Sequence, residues 1–396
     1  MTAYTLTLEQ ARRFLLIKHG LVGEHTFSNK DGALAYVRQA GCIQFDPVDI
    51  CGRNPELVLQ ARVRGFTKAL LTELLYADRR LIDYYDKNLA ILPVEDWPYF
   101  ERTRQENREH GRARDEIDAI AGEVKARIRA KGAACSKDIG FDQTLIWYWG
   151  TNTKLARAAL ETLYFRGDLV VHHKKGALKY YALAEDCLPA EVLQAPDPNV
   201  SEAEHARWHV ARRIASVGLL WNKASMAWLG SPAMNSPRRQ AAFAELLAEG
   251  SLLAVDVEGI KNTLYCVAGD HALLESVLES PPRAPRTELI APLDNLLWDR
   301  RLIEAVFGFT YKWEVYTPLE QRKYGHYVLP ILSGERFIGR AEIVNERKTK
   351  TLWVKNVWFE DGVERTDADD RALAECLERF ARFNECTAIR RDDGAQ

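Results

Sequence analysis

A short run between two predicted helices, Ile43-Gln44-Phe45-Asp46-Pro47, alternates apolar and polar side chains. On an extended backbone Gln44 and Asp46 project to one face, while Ile43 and Phe45 project to the other. A carboxamide beside a carboxylate can hold one water molecule. The amide orients the water, and the carboxylate accepts its proton and supplies a fixed negative charge. The segment is therefore a candidate hydrolytic site with Gln44 and Asp46 as its catalytic pair.

The same segment also has a purely structural interpretation. Asp-Pro often begins a turn, so Asp46 could do no more than accept hydrogen bonds from the backbone that follows it. Taken alone, the five residues favour this second interpretation, and both remain open.

Two stretches in the middle of the chain repeat one order of predicted elements. In the first, Ser136 can cap a short helix, a longer helix covers 153–165, and a strand from Leu169 returns over 178–183. In the second, helices over 201–217, 222–230 and 237–248 precede strands over 252–257 and 263–267. Helices followed by a β-hairpin are the plan of a winged helix, and the repetition argues against coincidence.

The two ends of the chain differ from this repeat. At the N-terminus, Thr7 to Gln10 fits a capping box, and helices are predicted to Lys18, from Asp31 to Gly41, from Asn54 and after Thr67, before an extended stretch over 81–92. After the proline-rich linker 281–285, strands are predicted over 313–316, 327–332, 337–344 and 351–359, followed by a helix over 367–384.

The sequence thus predicts an α+β protein of four consecutive units. A winged-helix-like unit over 1–113 carries Gln-x-Asp, two winged-helix units cover 114–196 and 197–280, and a β-rich C-terminal module with a closing helix covers 281–396.

Composition restricts the class of protein. A net charge of −2 gives no bulk support for nucleic-acid binding, so a DNA-binding protein would need its cations concentrated on one face. Seven scattered cysteines without a CxxC pair predict a reducing, cytoplasmic location and no disulfide framework or zinc site. No apolar run approaches the roughly 20 residues of a membrane helix. No ligand cluster or phosphate-binding glycine loop is present, so no cofactor is expected.

Several segments match one known family in the family's order. They are Gln44-Phe45-Asp46, Arg53, Leu57 to Arg62, Leu160 to Pro189, Pro292 to Arg301, Phe307 to Phe309, Glu314 to Pro318, Arg322, Tyr324-Gly325 and Val328 to Pro330. Together they resemble the AlkZ/YcaQ family of winged-helix DNA glycosylases, over nearly the whole chain. Its Gln-x-Asp pattern resembles that of the family branch with the broader range of alkyl-lesion substrates.

The resemblance implies a monofunctional, metal-independent DNA glycosylase that excises N7-alkylated purines and unhooks interstrand crosslinks. By position, Gln44 and Asp46 would be the catalytic residues. The partner would be double-stranded DNA with alkylated bases, and the protein would act as a monomer without an obligate protein partner. An N7-alkylated guanine already carries positive charge, so it leaves without being protonated.

DNA would be held by residues of several units through backbone contacts, which carry no sequence preference. Each cluster of cations could equally be solvated surface. The candidate contacts are Arg53, Arg62, Lys154, Arg157, Arg300, Arg301, Arg322, Lys323, Tyr324, Lys348 and Lys350.

The chain departs from the family in one place. Many relatives carry an aromatic-x-His element where this chain has Tyr85-Asp86-Lys87, so the substrate range could differ. Asp86 could add a second carboxylate near the site or be an ordinary turn residue. The main alternative function is a non-catalytic winged-helix DNA-binding regulator or resistance factor, to which Asp46 would be irrelevant. A protein-interaction scaffold is disfavoured by the extent of the match.

Overall fold

The computed structural model describes residues 4–279 and 281–392. Within them, no helix is both long enough and apolar enough to cross a membrane.

The α-helices of the described residues are numbered in chain order. They are α1 (Leu8–Lys18), α2 (Asn29–Ala40), α3 (Asn54–Gln60), α4 (Lys68–Thr72), α5 (Glu101–His110), α6 (Arg114–Lys131), α7 (Ser136–Ile139), α8 (Leu155–Arg166), α9 (Ala184–Cys187), α10 (Ala190–Leu193), α11 (Glu202–Val217), α12 (Ser236–Ala248), α13 (His271–Glu279), α14 (Arg300–Phe307) and α15 (Asp367–Phe383).

The strands are numbered in the same way. They are β1 (Tyr4–Leu6), β2 (Phe27–Ser28), β3 (Ile43–Gln44), β4 (Val63–Arg64), β5 (Leu81–Asp86), β6 (Asn88–Pro93), β7 (Thr144–Ile146), β8 (Asn152–Lys154), β9 (Leu169–Lys175), β10 (Leu178–Leu183), β11 (Leu220–Trp221), β12 (Leu252–Val257), β13 (Leu264–Val267), β14 (Thr287–Leu289), β15 (Val328–Ser333), β16 (Arg336–Glu346), β17 (Thr351–Phe359) and β18 (Ala388–Arg391).

The chain folds into two compact units. The first contains residues 1–71, 86–90 and 206–396, and the second contains 72–85 and 91–205. The four consecutive units predicted from the sequence follow chain order instead, and they stay a prediction.

The first unit contains two larger sheets. One has the order β1-β12-β13-β11, in which β1 lies parallel to β12 and the other neighbours are antiparallel. The other has the order β14-β15-β16-β17-β18 and packs against α15, whose buried residues Leu373, Cys376, Leu377 and Phe380 recur at helical spacing. In β16, Gly339 allows a close approach, because an added Cβ would lie 2.3 Å from the carbonyl oxygen of Trp358.

The second unit is built around α8. Helices α5 and α6 pack on α8, and the antiparallel hairpin β9-β10 follows it. Gly167, with a φ of +85°, ends α8 in the left-handed conformation that glycine adopts without strain. The ring of Tyr84 contacts those of Trp97 and Tyr164 within this core.

The structure confirms most of the predicted elements. The mixed α and β fold, both helix-then-hairpin stretches, the Thr7 capping box and the closing helix are all present. The prediction of a strand over 313–316 was wrong, because these residues form an irregular loop and a turn outside every sheet of the described chain. The helix predicted over 222–230 was also wrong, because only a 3₁₀ turn, Met226–Trp228, forms there.

Candidate active site

A cleft of about 800 Å³ lies within the first unit, and both predicted catalytic residues line it. Gln44 and Asp46 share it with Lys87, Arg300 and Arg301. The rest of its wall is largely apolar and includes Phe45, Leu89, Met226, Leu229, Met234, Pro292, Leu293, Leu297, Trp298, Trp313 and Tyr316. The predicted alternation is therefore incomplete: Ile43 is fully buried, but Phe45 faces the cleft too.

Gln44 is held at both its backbone and its side chain. Its Oε1 accepts a hydrogen bond from Lys87 Nζ at 2.9 Å, and its carbonyl oxygen accepts one from Asn54 Nδ2 at 2.7 Å. The Oδ1 of Asn54 in turn accepts from the backbone N–H of Leu293 at 3.0 Å. Only 6% of Gln44 is exposed, and these hydrogen bonds hold it in the wall of the cleft.

Asp46 is half-buried, and burial raises its pKa above the ordinary aspartate value. Its Oδ1 accepts a hydrogen bond from the backbone N–H of Val48 at 2.8 Å, so the structural role considered for this residue does exist at one oxygen. Within the described residues Asp46 forms no ion pair, and Oδ2 has no hydrogen-bond donor. One oxygen is therefore available to a bound molecule.

Lys87 reaches the cleft from the bend between β5 and β6. Its Nζ lies 5.0 Å from the centroid of the Trp298 ring, within the range of a cation–π interaction. Burial, reinforced by the nearby Arg213 charge, lowers the pKa of Lys87 to about 8. At neutral pH the group is therefore mainly a cation within a largely apolar wall.

Asp86 is neither a second catalytic carboxylate nor an ordinary turn residue. It is buried, and its two oxygens pair with Arg212 Nε at 2.8 Å and Arg213 Nη2 at 2.5 Å. Burial disfavours its charge, but the two guanidinium groups hold the pKa of Asp86 well below its ordinary value. Its role in this structure is to neutralise the two arginines, of which Arg213 is fully buried.

The C-terminal segment that carried the family resemblance lines part of the cleft and also supports it. Asn295 Nδ2 donates to the carbonyl of Cys42 at 2.9 Å, two residues before Gln44. The indole of Trp298 donates to the carbonyl of Leu293 at 3.1 Å, and Asp299 caps α14 while accepting from Trp221 Nε1 at 2.7 Å. These bonds tie β3 and the start of α14 to one scaffold.

The structure corrects one predicted DNA contact. Arg62 is 0% exposed, pairs with the equally buried Asp294 at 2.7 Å and stacks on Tyr36. A side chain enclosed in this way has no access to a phosphate, so Arg62 is a structural residue.

The other predicted contacts are divided between the two units. Arg300 and Arg301 line the cleft, while Arg53 pairs with Asp49 and Glu56. Lys154 and Arg157 belong to the second unit and pair with Asp142 and Glu161. The remaining contacts lie in the first unit: Arg322, Lys323 and Tyr324 precede β15, and the exposed Lys348 and Lys350 form the turn between β16 and β17.

Lys87, Trp298 and Arg213 were not among the site residues predicted from the sequence. A signal existed for the first two: Lys87 is part of the departure from the family pattern, and Trp298 lies inside the C-terminal signature. Arg213 lies in α11, far in the chain from Gln44 and Asp46, and the sequence offers no comparable signal for it.

Two comparisons with known proteins found a match for this chain. The family model described as "DNA glycosylase AlkZ-like" matches residues 37–383. The solved structure of Streptomyces sahachiroi DNA glycosylase AlkZ is 17% identical, with a TM-score of 0.66, and the match covers 98% of this chain and 100% of that one. At this identity the second likeness concerns the fold. The family match covers most of the chain, and the protein therefore belongs to the AlkZ-like DNA glycosylase family.

Proposed function

We propose that this protein is a monofunctional, metal-independent glycosylase that excises N7-alkylated purines from double-stranded DNA. The observation that carries the proposal is the convergence of Gln44 and Asp46 on one cleft that also holds Arg300 and Arg301. Family membership supports a DNA substrate, and the two arginines supply positive charge beside the pair.

The proposed chemistry uses each group for one task. Alkylation at N7 makes the purine a cation, so the C1′–N9 bond can break with its electron pair going to the base. The Asp46 carboxylate stabilises the oxocarbenium-like sugar, an effect that is strongest where water is excluded. A water held between Gln44 and Asp46 attacks C1′, and its proton passes to the carboxylate.

We also propose that the cleft admits bulky adducts, including interstrand crosslinks. Many glycosylases flip a single base into a close-fitting pocket, which a crosslinked base cannot enter without its partner strand. Here Tyr316 and Met226 line the cleft while remaining 82% and 61% exposed, so part of the wall is open to solvent. Such an opening suits a lesion that stays within the duplex.

The test is release of base from a duplex containing one N7-methylguanine, in EDTA, with abasic sites cleaved afterwards by base. We expect activity from the wild type and a fall of about ten- to a hundredfold in Asp46→Asn and Gln44→Ala. That fall equals about 1.4–2.7 kcal/mol of transition-state stabilisation. Asp31→Asn, the same change at an exposed position outside the cleft, is the matched control.

DNA binding is measured in parallel on unmodified duplex. Equal base release by all three proteins, or none by any, would remove the catalytic assignment. If binding to DNA persisted in that case, the non-catalytic DNA-binding protein would become the better description. A duplex with one N7–N7 crosslink, run as a second substrate, decides whether crosslinks are accepted.

A further inference from the structure

The contact between Lys87 and Gln44 dictates which end of the Gln44 amide faces the cleft. An ammonium group has three donors and no acceptor, so only a carbonyl oxygen can bond to it. The 2.9 Å bond therefore requires Oε1, and not Nε2, to face Lys87. A flipped amide would place its NH₂ against the cation, lose this charge-assisted bond and face electrostatic repulsion.

Lys87 has little freedom to leave this position. The residue after it, Asn88, has a φ of +58°, a left-handed conformation that asparagine tolerates and that makes the bend between β5 and β6. The residue before it, Asp86, is anchored by its buried pairs with Arg212 and Arg213. The Trp298 ring lies beside the ammonium group. Both neighbours in the chain and one wall of the cleft thus hold Lys87 beside Gln44.

The opposite end of the amide is available to a bound molecule. Among residues 4–279 and 281–392 there is no hydrogen-bond acceptor for Nε2 of Gln44, although the residue lines the cleft. Nε2 is a pure donor, whereas a freely rotating amide would also offer an acceptor. The orientation therefore determines what Gln44 can do to a water molecule.

We propose that Lys87 is a positioning residue, which holds the Gln44 amide so that its NH₂ donates to the oxygen of the attacking water. This inference rests on the proposed function. Gln44 binds one lone pair of the water, Asp46 accepts one proton, and the second lone pair attacks C1′ as the C1′–N9 bond breaks. A flipped amide would instead compete with Asp46 for the water's proton.

The arrangement also predicts an alkaline limit to activity. The charged groups around Lys87 are Arg213 on α11, Arg300 on α14 and Asp86 on β5, with the Cys42 thiol before β3. Burial and Arg213 lower the pKa of Lys87 to about 8. Above that pH the neutral amine has a lone pair that can accept from Nε2, so the amide orientation is no longer dictated. We expect the rate of the chemical step to fall as pH rises through about 8.

The experiment is a double-mutant cycle under single-turnover conditions with the N7-methylguanine duplex. We expect Lys87→Met to lower the rate of base release about tenfold while leaving DNA affinity unchanged. In a Gln44→Ala background the same change should have no further effect, because Lys87 acts through the amide. Lys87→Arg, a donor that stays charged, should restore most of the rate and remove the alkaline fall.

Three results would overturn the inference. They are an unchanged rate in Lys87→Met, an equal loss from Lys87→Met in both backgrounds, or an alkaline fall that persists in Lys87→Arg. If Lys87→Met does not fold, the pH profile of Lys87→Arg decides. Failure of the proposed function is distinguishable, because Gln44→Ala and Asp46→Asn would then release base at the wild-type rate, or the wild type itself would release none.

Discussion

Asp86 shows how much a single buried charge can determine near the site. Its carboxylate lies between the Arg212 and Arg213 guanidinium groups, and Arg213 is itself completely buried. Removing one member of a buried ion pair leaves uncompensated charge, which costs more than the pair contributes when intact. The sequence shows a carboxylate at position 86, but its ion pairs with Arg212 and Arg213 are what make it a structural residue.

Asp86→Asn should lower the free energy of unfolding by about 3–5 kcal/mol, because it leaves the fully buried Arg213 without its counter-charge. The pKa of Asp86 is depressed in the fold, so its contribution is present above the ordinary carboxyl range and lost as pH falls through the folded value. The difference between variant and wild type should therefore narrow in acid.

Urea unfolding at pH 7 and at progressively lower pH measures the difference in the free energy of unfolding between Asp86→Asn and the wild type. Asp370→Asn is the control, since Asp370 forms an ion pair with Arg365 in which both side chains are over 40% exposed. A variant as stable as wild type at pH 7 would show that the buried pairs contribute nothing.

At the scale of elements, the N-terminal strand β1 forms the edge of a sheet, a position that its own three residues do not predict. Tyr4–Leu6 pairs in parallel with β12, so that Leu6 lies opposite Val257, about 250 residues away in the chain. Leu6 is fully buried, whereas its neighbour Thr5 is exposed. Because side chains alternate across a strand, only one face of this short element contributes to the core.

Leu6→Ala should lower the free energy of unfolding by about 2–5 kcal/mol, since it leaves a cavity in the core. Thr5→Ala, on the opposite face of the same strand, should change it by less than about 0.5 kcal/mol. The midpoints of urea unfolding compare the two directly. Equal effects would mean that the strand is held by its backbone bonds and not by Leu6.

At the scale of the whole molecule, the net charge of −2 conceals how the cations are distributed. Several arginines are already paired within the protein: Arg62, Arg212 and Arg213 each form an ion pair with a buried carboxylate. Other basic residues are exposed, and two of them, Lys348 and Lys350, lie in the turn between β16 and β17. Affinity for DNA must come from such uncommitted charge.

The double variant Lys348→Ala/Lys350→Ala should weaken binding to duplexes of any sequence. If both lysines contact phosphates, the slope of log K against log salt should become about 1.8 less negative, at about 0.9 per phosphate contact. Fluorescence anisotropy across a range of salt concentrations measures it. Lys261→Ala, another exposed lysine of the first unit, is the control, and an unchanged slope in the double variant would remove these two residues from the interface.

The sequence alone determined the features that depend on neighbouring residues. Local patterns predicted several elements closely, namely helix α8, the hairpins after α8 and α12, and the capped start of α1. They could do so because apolar spacing, caps and turn residues act within a few positions of the chain. The sequence also predicted that Gln44 and Asp46 share a face, and both line the cleft, although Phe45 between them does so too. Their catalytic role stays a prediction.

Tertiary structure decided which distant residues meet. It buried Arg62 against Asp294, placed Lys87 on Gln44 across 43 positions, and added β1 to the β12-β13 hairpin. It also showed that Asp86 neutralises arginines. No local pattern encodes these contacts, because burial and partner choice depend on how the whole chain packs, and the same arginine, lysine or aspartate would be equally compatible with an exposed surface.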